Sequence, residues 1–168
     1  MTAGVCSFTG HRQIPESDRA PLSDLLKRAI AYAYEKDCKE FLTGGAIGFD
    51  TLAAREVVLF RITHPDVKLR LILPCTDQDR HWDEKQKSSY RYLLSVADDV
   101  VYLRDEYTPD CMKLRNRYLA DACDMLVAYI THDRSGASQT ARMAREQGKP
   151  VFNLAGELSR TPEEKPAD

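Results

Sequence analysis

Apolar residues recur along the chain in two alternating rhythms. Short runs rich in β-branched and aromatic residues occupy Val5 to Thr9, Glu40 to Thr43, Lys68 to Leu73, Asp99 to Leu103, Met125 to Ile130 and Pro150 to Leu154. Several are apolar enough to be strands buried on both faces. Between them the spacing turns helical. Leu22, Leu25, Leu26, Ala29, Ile30 and Ala33 fall at i, i+3, i+4, i+7, i+8 and i+11, the stripe of an amphipathic helix of about four turns. Phe49, Leu52, Ala53, Val57 and Phe60 repeat it and stop before Pro65, which disfavours helical geometry in the residue ahead of it. A third helix is expected over Glu84 to Val96. A fourth is expected to take Thr108 as N-cap and Pro109 as its first residue, with Met112, Leu119, Ala122 and Cys123 facing inward. A fifth spans Ser138 to Gln147, stopped by Gly148 with Pro150 just beyond.

Strands that alternate with helices in this way predict an α/β fold: a Rossmann-like three-layer sandwich around a mostly parallel sheet of about six strands. Residues 1–156 are expected to form one domain, and the polar segment 157–168 a disordered tail. In such sheets ligands sit beyond the carboxyl ends of the strands, where strand order reverses. The turns after the first, second, third and fifth expected strands hold the chain's most suggestive residues. With the first strand central, in an order 4-3-2-1-5-6, those turns converge on one crevice.

Two of these turns are glycine-rich and open helices: FLTGGAIGFDTLAARE (Phe41 to Glu56) and DRSGASQTARMAREQG (Asp133 to Gly148). A helix start leaves backbone N–H groups unpaired and carries partial positive charge, so both read as phosphate cradles. In the first, Gly44 and Gly45 remove side chains where a ligand approaches closely, and Gly48 permits a left-handed backbone. Asp50 sits in the helix's first turn, either capping it or accepting from a ribose hydroxyl. The pattern is neither GxGxxG nor a Walker P-loop, since no Gly-Lys-Ser/Thr follows. After the first strand, Thr9 offers a hydroxyl, Gly10 a sharp turn, His11 a donor or acid/base group, and Arg12 a forked cation for phosphate. On the fourth helix Arg115 and Asn116 can reach the pocket, with Asp121 to orient a polar partner. Trp82 and Tyr90 are candidates to stack on a base, Tyr90 being the more core-like of the two.

Charge and cysteine content narrow the setting. Lys and Arg total 24 against 26 Asp and Glu, a formal net charge of −2, so bulk charge argues against nucleic acid as partner. The five cysteines are odd in number and widely spaced, without zinc-like spacing, and read as reduced thiols of a cytoplasmic protein; no metal is expected. No apolar run reaches the roughly 18 residues of a membrane span, and the start lacks signal-peptide character.

The ordered set FTGHR, GGAIGFDTLAARE, LILPCTDQDRHW, RNRYLADACDMLVAY and SGASQTARMAREQGKPVFNL, over about Val5 to Leu154, resembles the YpsA-like branch of the SLOG superfamily. That superfamily also includes the DNA-processing protein DprA and the LOG phosphoribohydrolases. The resemblance implies a Rossmann-like fold with a nucleotide-related pocket, supports the strand order above, and is compatible with a homodimer. YpsA-like chains resemble GGTxxT where this one has Ser135, Gly136, Ala137, Ser138, Gln139 and Thr140. Gly136 and Thr140 keep the pattern, and Ser138 either supplies the missing hydroxyl or caps the helix. LOG hydrolases carry a motif resembling PGGxGTxxE, and at the position of its catalytic glutamate this chain has Arg142 or Met143. The expected function is therefore binding or sensing of a nucleotide or nucleotide derivative, with no certain cofactor. LOG-like N-glycosidic hydrolysis of a nucleoside monophosphate, with Asp50, Asp121, His11 or the more helix-pairing Glu56 as substitute catalytic group, is the first alternative. A DprA-like single-stranded DNA binder is the second.

Overall fold

A computed structural model describes residues 3–158. In chain order the elements are β1 (Gly4–Gly10), α1 (Glu16–Glu35), β2 (Cys38–Thr43), α2 (Phe49–Thr63), β3 (Lys68–Leu73), α3 (Glu84–Val96), β4 (Asp99–Tyr102), α4 (Cys111–Ala122), β5 (Met125–Tyr129), α5 (Gly136–Glu146) and β6 (Val151–Asn153). The six strands form one sheet in the order β4-β3-β2-β1-β5-β6, and every pairing is parallel. Order and class are as expected, the class from the alternation and the order from a central first strand together with the SLOG resemblance. Helices α1, α2 and α3 cover one face, α4 and α5 the other, because the chain winds outward from β1 to β4 and then crosses back to continue from β5.

The larger core lies under α1 and α2. Phe8 of β1 stacks near Phe41 of β2 with ring centroids 6.1 Å apart and meets Phe49 of α2 edge-on at 6.4 Å, and Phe49 in turn stacks on Tyr129 of β5 at 6.0 Å. All four rings are essentially inaccessible to solvent, and each such burial contributes about 1.5–3 kcal/mol. This aromatic file fixes the start of α2 against the ends of β1 and β5. On the other face small residues pack between α4 and α5, Ala120, Cys123, Ala141 and Ala144 against Leu126, while Leu119 of α4 sits on Leu42 and Ile72.

Element boundaries depart from the sequence reading in three places. Helix α1 reaches back to Glu16 and carries Pro21 within it, its first turn favoured by Glu16 and Asp18. Helix α4 begins at Cys111 and not at Pro109. The Thr108 hydroxyl donates to Asp110 Oδ1 at 2.6 Å and the Thr108 carbonyl accepts from Cys111 N at 3.1 Å, which makes a turn ahead of the helix. Helix α5 begins at Gly136 because Ser135, not Ser138, is the N-cap: Ser135 Oγ accepts from Ser138 N at 3.0 Å. Of the expected tail, Glu157 closes a 3₁₀ turn (Leu154–Glu157) and Leu158 follows it; the rest lies outside the described residues. Among the described residues no helix is long and apolar enough to cross a membrane.

A Cβ on Gly10 would stand 2.5 Å from the Phe49 ring, so β1 and α2 meet closer than any side chain there allows. Gly10→Ala is expected to destabilise the fold by about 1–3 kcal/mol through overpacking. In urea denaturation its cost should combine less than additively with that of Phe49→Leu, because the smaller side chain makes room for the methyl.

Candidate functional site

Strand order reverses between β1 and β5, and a crevice of about 340 Å³ opens there above the carboxyl ends of the strands. Thr9, Gly10, His11 and Arg12 form its floor and one lip, and Ala46 and Asp50 a second wall. Helix α4 contributes Met112, Arg115, Asn116 and Leu119, and the start of α5 contributes Ser135, Gly136 and Ala137. The α4 residues fall at i, i+3, i+4 and i+7, one helical face with Arg and Asn where a core stripe would carry apolar side chains. That signal was legible in sequence. Ala46, Ser135 and Ala137 carried none, being small residues that line the crevice through backbone position.

Arg115 organises the site. It is only 7% exposed, and its guanidinium donates from Nη1 to the Gly44 carbonyl at 2.8 Å and from Nε to Asn116 Oδ1 at 2.8 Å, with Nη2 3.6 Å from Met112 Sδ. The buried carboxylate opposing this charge is Asp50, 5% exposed. Burial pushes the Asp50 carboxyl up to about 6 from an ordinary 3.8, against the opposing pull of Arg115, the loop amides and Arg12. Between roughly pH 4 and 6 the folded state therefore holds a proton that the unfolded chain has released. The contribution of Asp50 to stability is full below that window and is lost as pH rises through it.

The two glycine-rich turns use their amides differently. In the turn after β2, Ala46 N–H donates to Asp50 Oδ2 at 3.2 Å, Gly45 N–H to Thr43 Oγ1 at 3.3 Å, and Phe49 N–H to the His11 carbonyl at 3.1 Å. Asp50 thus occupies from within the place where a phosphate was expected. The glycines of that turn serve packing: a Cβ would collide with Arg115 at Gly44, with Leu73 at Gly45, and with the Arg12 carbonyl at Gly48, where φ is +81°. None of the three lines the crevice. At the start of α5, by contrast, Ser135 satisfies the Ser138 and Gln139 amides, while no hydrogen bond among the described residues takes those of Gly136 and Ala137, which line the crevice. A Cβ on Gly136 would come 3.0 Å from Asn116 Nδ2, a tight contact that a shift of a few tenths of an ångström in that amide relieves.

His11 ties the floor to the loop after β5. Its Nε2 accepts from Thr131 N–H at 2.8 Å, and its ring stacks on His132 with centroids 4.3 Å apart and planes 4° from parallel. Burial, and then His132, lower its pKa. The other candidates lie elsewhere. Trp82 packs edge-on against Tyr90 at 5.1 Å, outside the crevice, and no residue of the Pro74–Trp82 segment reaches it. Thr140 is buried and donates back to the Gly136 carbonyl at 2.8 Å, and Ser138 lies buried behind the cap. Asp121 is on the surface, accepting from Gln147 Nε2 at 2.7 Å. Glu56 is buried between α1 and α2, where Lys27 Nζ meets both its oxygens at 2.6 and 2.8 Å. Arg142 is exposed and Met143 packs under α5, and among the described residues Asp50 is the one carboxylate lining the crevice.

Comparison with known proteins agrees with this architecture. Residues 15–151 match the YspA SLOG family (YpsA). The uncharacterized SPbeta prophage-derived protein YoqJ of Bacillus subtilis is 30% identical over 138 residues, which covers 74% of this chain and 81% of that protein. DNA processing protein A (DprA) from Streptococcus pneumoniae superposes with a TM-score of 0.64 at 18% identity, over 90% of this chain and 50% of the other. This chain thus spans half the length of that protein. The DprA of Helicobacter pylori, described for its single-stranded DNA binding mode, gives a TM-score of 0.65 at 17% identity, over 96% and 67%. At these identities the likeness to the two DprA structures is one of fold.

Removing the guanidinium strands the Gly44 carbonyl and leaves the Asp50 charge without its buried partner. Arg115→Met is expected to cost about 3–5 kcal/mol in chemical denaturation. By carbon-13 NMR the Asp50 carboxyl of the parent should titrate near 6, and in Arg115→Met clearly higher. The exposed Arg12→Ala substitution should move that titration the same way by less, with little loss of stability.

Proposed function

The chain belongs to the YspA SLOG family, and from that premise we propose that its crevice binds a nucleotide or nucleotide derivative. The observation that carries this reading is the meeting of two free α5 amides, two arginines and one carboxylate in a single cavity. A phosphate set against Gly136 and Ala137 N–H receives the helix dipole and the Arg12 guanidinium together. Asp50 accepts from a sugar hydroxyl, and Met112 and Leu119 offer an apolar surface to a base. The volume, about 340 Å³, falls at the low end of the roughly 300–1,000 Å³ common for small-molecule sites, which suits one nucleotide. Charge-assisted hydrogen bonds net about 1.5–3 kcal/mol each, so two or three of them plus an apolar base contact are needed to exceed the cost of association.

One observation favours a second reading, N-glycosidic hydrolysis. A carboxyl held near 6 inside a crevice is poised to exchange a proton at neutral pH. A third reading, single-stranded DNA, draws on the Helicobacter neighbour. The net charge of −2 counsels against it for the surface as a whole but says nothing of the crevice.

Nucleoside monophosphates and ADP-ribose-like compounds are expected to raise the melting temperature, by an amount equivalent to about 2.7 kcal/mol at a hundredfold excess over Kd. Arg12→Ala should weaken binding about 10- to 100-fold. A panel in which no nucleotide stabilises the protein overturns the binding reading. Release of free base, abolished in Asp50→Asn, would establish hydrolysis, and its absence across the panel removes that reading.

A further inference from the structure

A second cavity, about 510 Å³, lies on the far side of Arg12, between the starts of α1, α2 and α3. We propose that it is a second anion subsite, which holds a nucleotide joined through phosphate to the one in the crevice. The inference rests on the nucleotide reading of the crevice and extends it to a two-nucleotide ligand.

Four cations, Arg12, Arg19, Arg55 and Lys85, line this groove against two carboxylates. Both carboxylates are engaged. Glu16 pairs with Arg19 at 3.6 Å, and Asp83 caps α3 by accepting from Gln86 N–H at 2.8 Å. Arg12 and Lys85 have no hydrogen-bond or ion-pair partner among the described residues, and both are exposed. Arg55 is held in place: its Nη2 donates to Ser89 Oγ at 3.1 Å, and its guanidinium lies 5.9 Å from the Tyr92 ring centre. The groove thus presents one positioned cation, Arg55, beside two exposed ones, Arg12 and Lys85, and no carboxylate among the described residues pairs with any of the three.

Connection to the crevice is direct. Arg12 lines both cavities, and the turn from Ala46 to Thr51 is the wall between them. Ala46 and Asp50 face the crevice, while Ile47, Gly48 and Thr51 face the groove. The absence of a side chain at Gly48 lets the Arg12 backbone rest on this wall, which places Arg12 between the two cavities. A phosphate leaving the crevice over Arg12 enters the groove next to Arg55 and Lys85. Because the groove is walled mainly by charged and hydroxyl groups, it recognises phosphate and sugar, and a second base would meet little beyond Ile47 and Leu52.

The test is calorimetric titration at low salt of the full chain with a nucleoside monophosphate, a pyrophosphate-linked dinucleotide, and a 5′-phosphorylated two-nucleotide DNA. At least one two-nucleotide ligand should bind ten times more tightly than the monophosphate or better, with a steeper salt dependence. In Arg55→Ala/Lys85→Ala this gain should disappear while monophosphate affinity stays as in the parent. Lys85→Glu alone, at an exposed position, should remove most of it. Which ligand gains distinguishes a free dinucleotide from the end of a nucleic-acid strand. Monophosphate binding without any two-nucleotide gain, or a gain that survives in both variants, overturns the groove and leaves the crevice reading intact. Failure of every ligand to bind overturns both.

Discussion

A guanidinium buried between a helix and a turn holds this site together. Arg115 crosses from α4 to the Gly44 carbonyl and so joins the two faces of the sheet at the point where strand order reverses. Burying a cation is costly unless it is paired and hydrogen-bonded. The fold meets that demand with the Gly44 carbonyl, the Asn116 amide oxygen and the charge of Asp50. Each of those partners lines or supports the crevice. Asp50, in the first turn of α2, accepts the Ala46 amide and acts on Arg115 through its charge. The shape of the GGAIG turn is therefore a consequence of the bonds from Arg115 to the Gly44 carbonyl and from Ala46 N–H to Asp50 as much as of its glycines.

This explains why two turns that look alike in sequence differ in chemistry. Both place small residues ahead of a helix. One carries an acid in its first helical turn, which curls back onto the Ala46 amide, and its Phe49 N–H donates to the carbonyl of His11, just after β1. The other has a serine cap that satisfies the third and fourth amides of α5 and leaves the first two facing the crevice. Glycine content reports where backbones approach closely. It does not report whether the approaching group is a ligand or the protein's own Arg115, Leu73 or Arg12 backbone.

The parallel sheet was legible because alternation of buried strands and amphipathic helices constrains topology strongly, whereas the order β4-β3-β2-β1-β5-β6 also needed a central β1, which the family resemblance and not the spacing supported. Helix starts were less legible. Thr108 and Pro109 carry the composition of a helix start, yet the Thr108 hydroxyl turns to Asp110 and delays the helix by two residues. Within the site, residues that follow β1 and those on the α4 stripe were readable from spacing alone. Thr140, Ser138 and Asp121 were not separable from crevice residues in sequence, because their partners, the Gly136 carbonyl, the Ser135 cap and Gln147, are revealed only by the fold.

The net charge of −2 conceals how the charges are sorted. Many acids are committed locally: Asp66 accepts from Tyr34 and Lys39, Asp98 from Arg61, Asp83 from the start of α3, and Glu56 from Lys27. Such commitments lower the field those carboxylates project, whereas Arg12 and Lys85 stand exposed around the crevice and groove. At physiological ionic strength, charges more than about 8 Å away are largely screened, so a phosphate at the rim responds to Arg12 and its neighbours and hardly to the sum over the molecule. For an anionic ligand the relevant quantity is this local excess. A mildly acidic chain can present it wherever its carboxylates are already engaged by the fold.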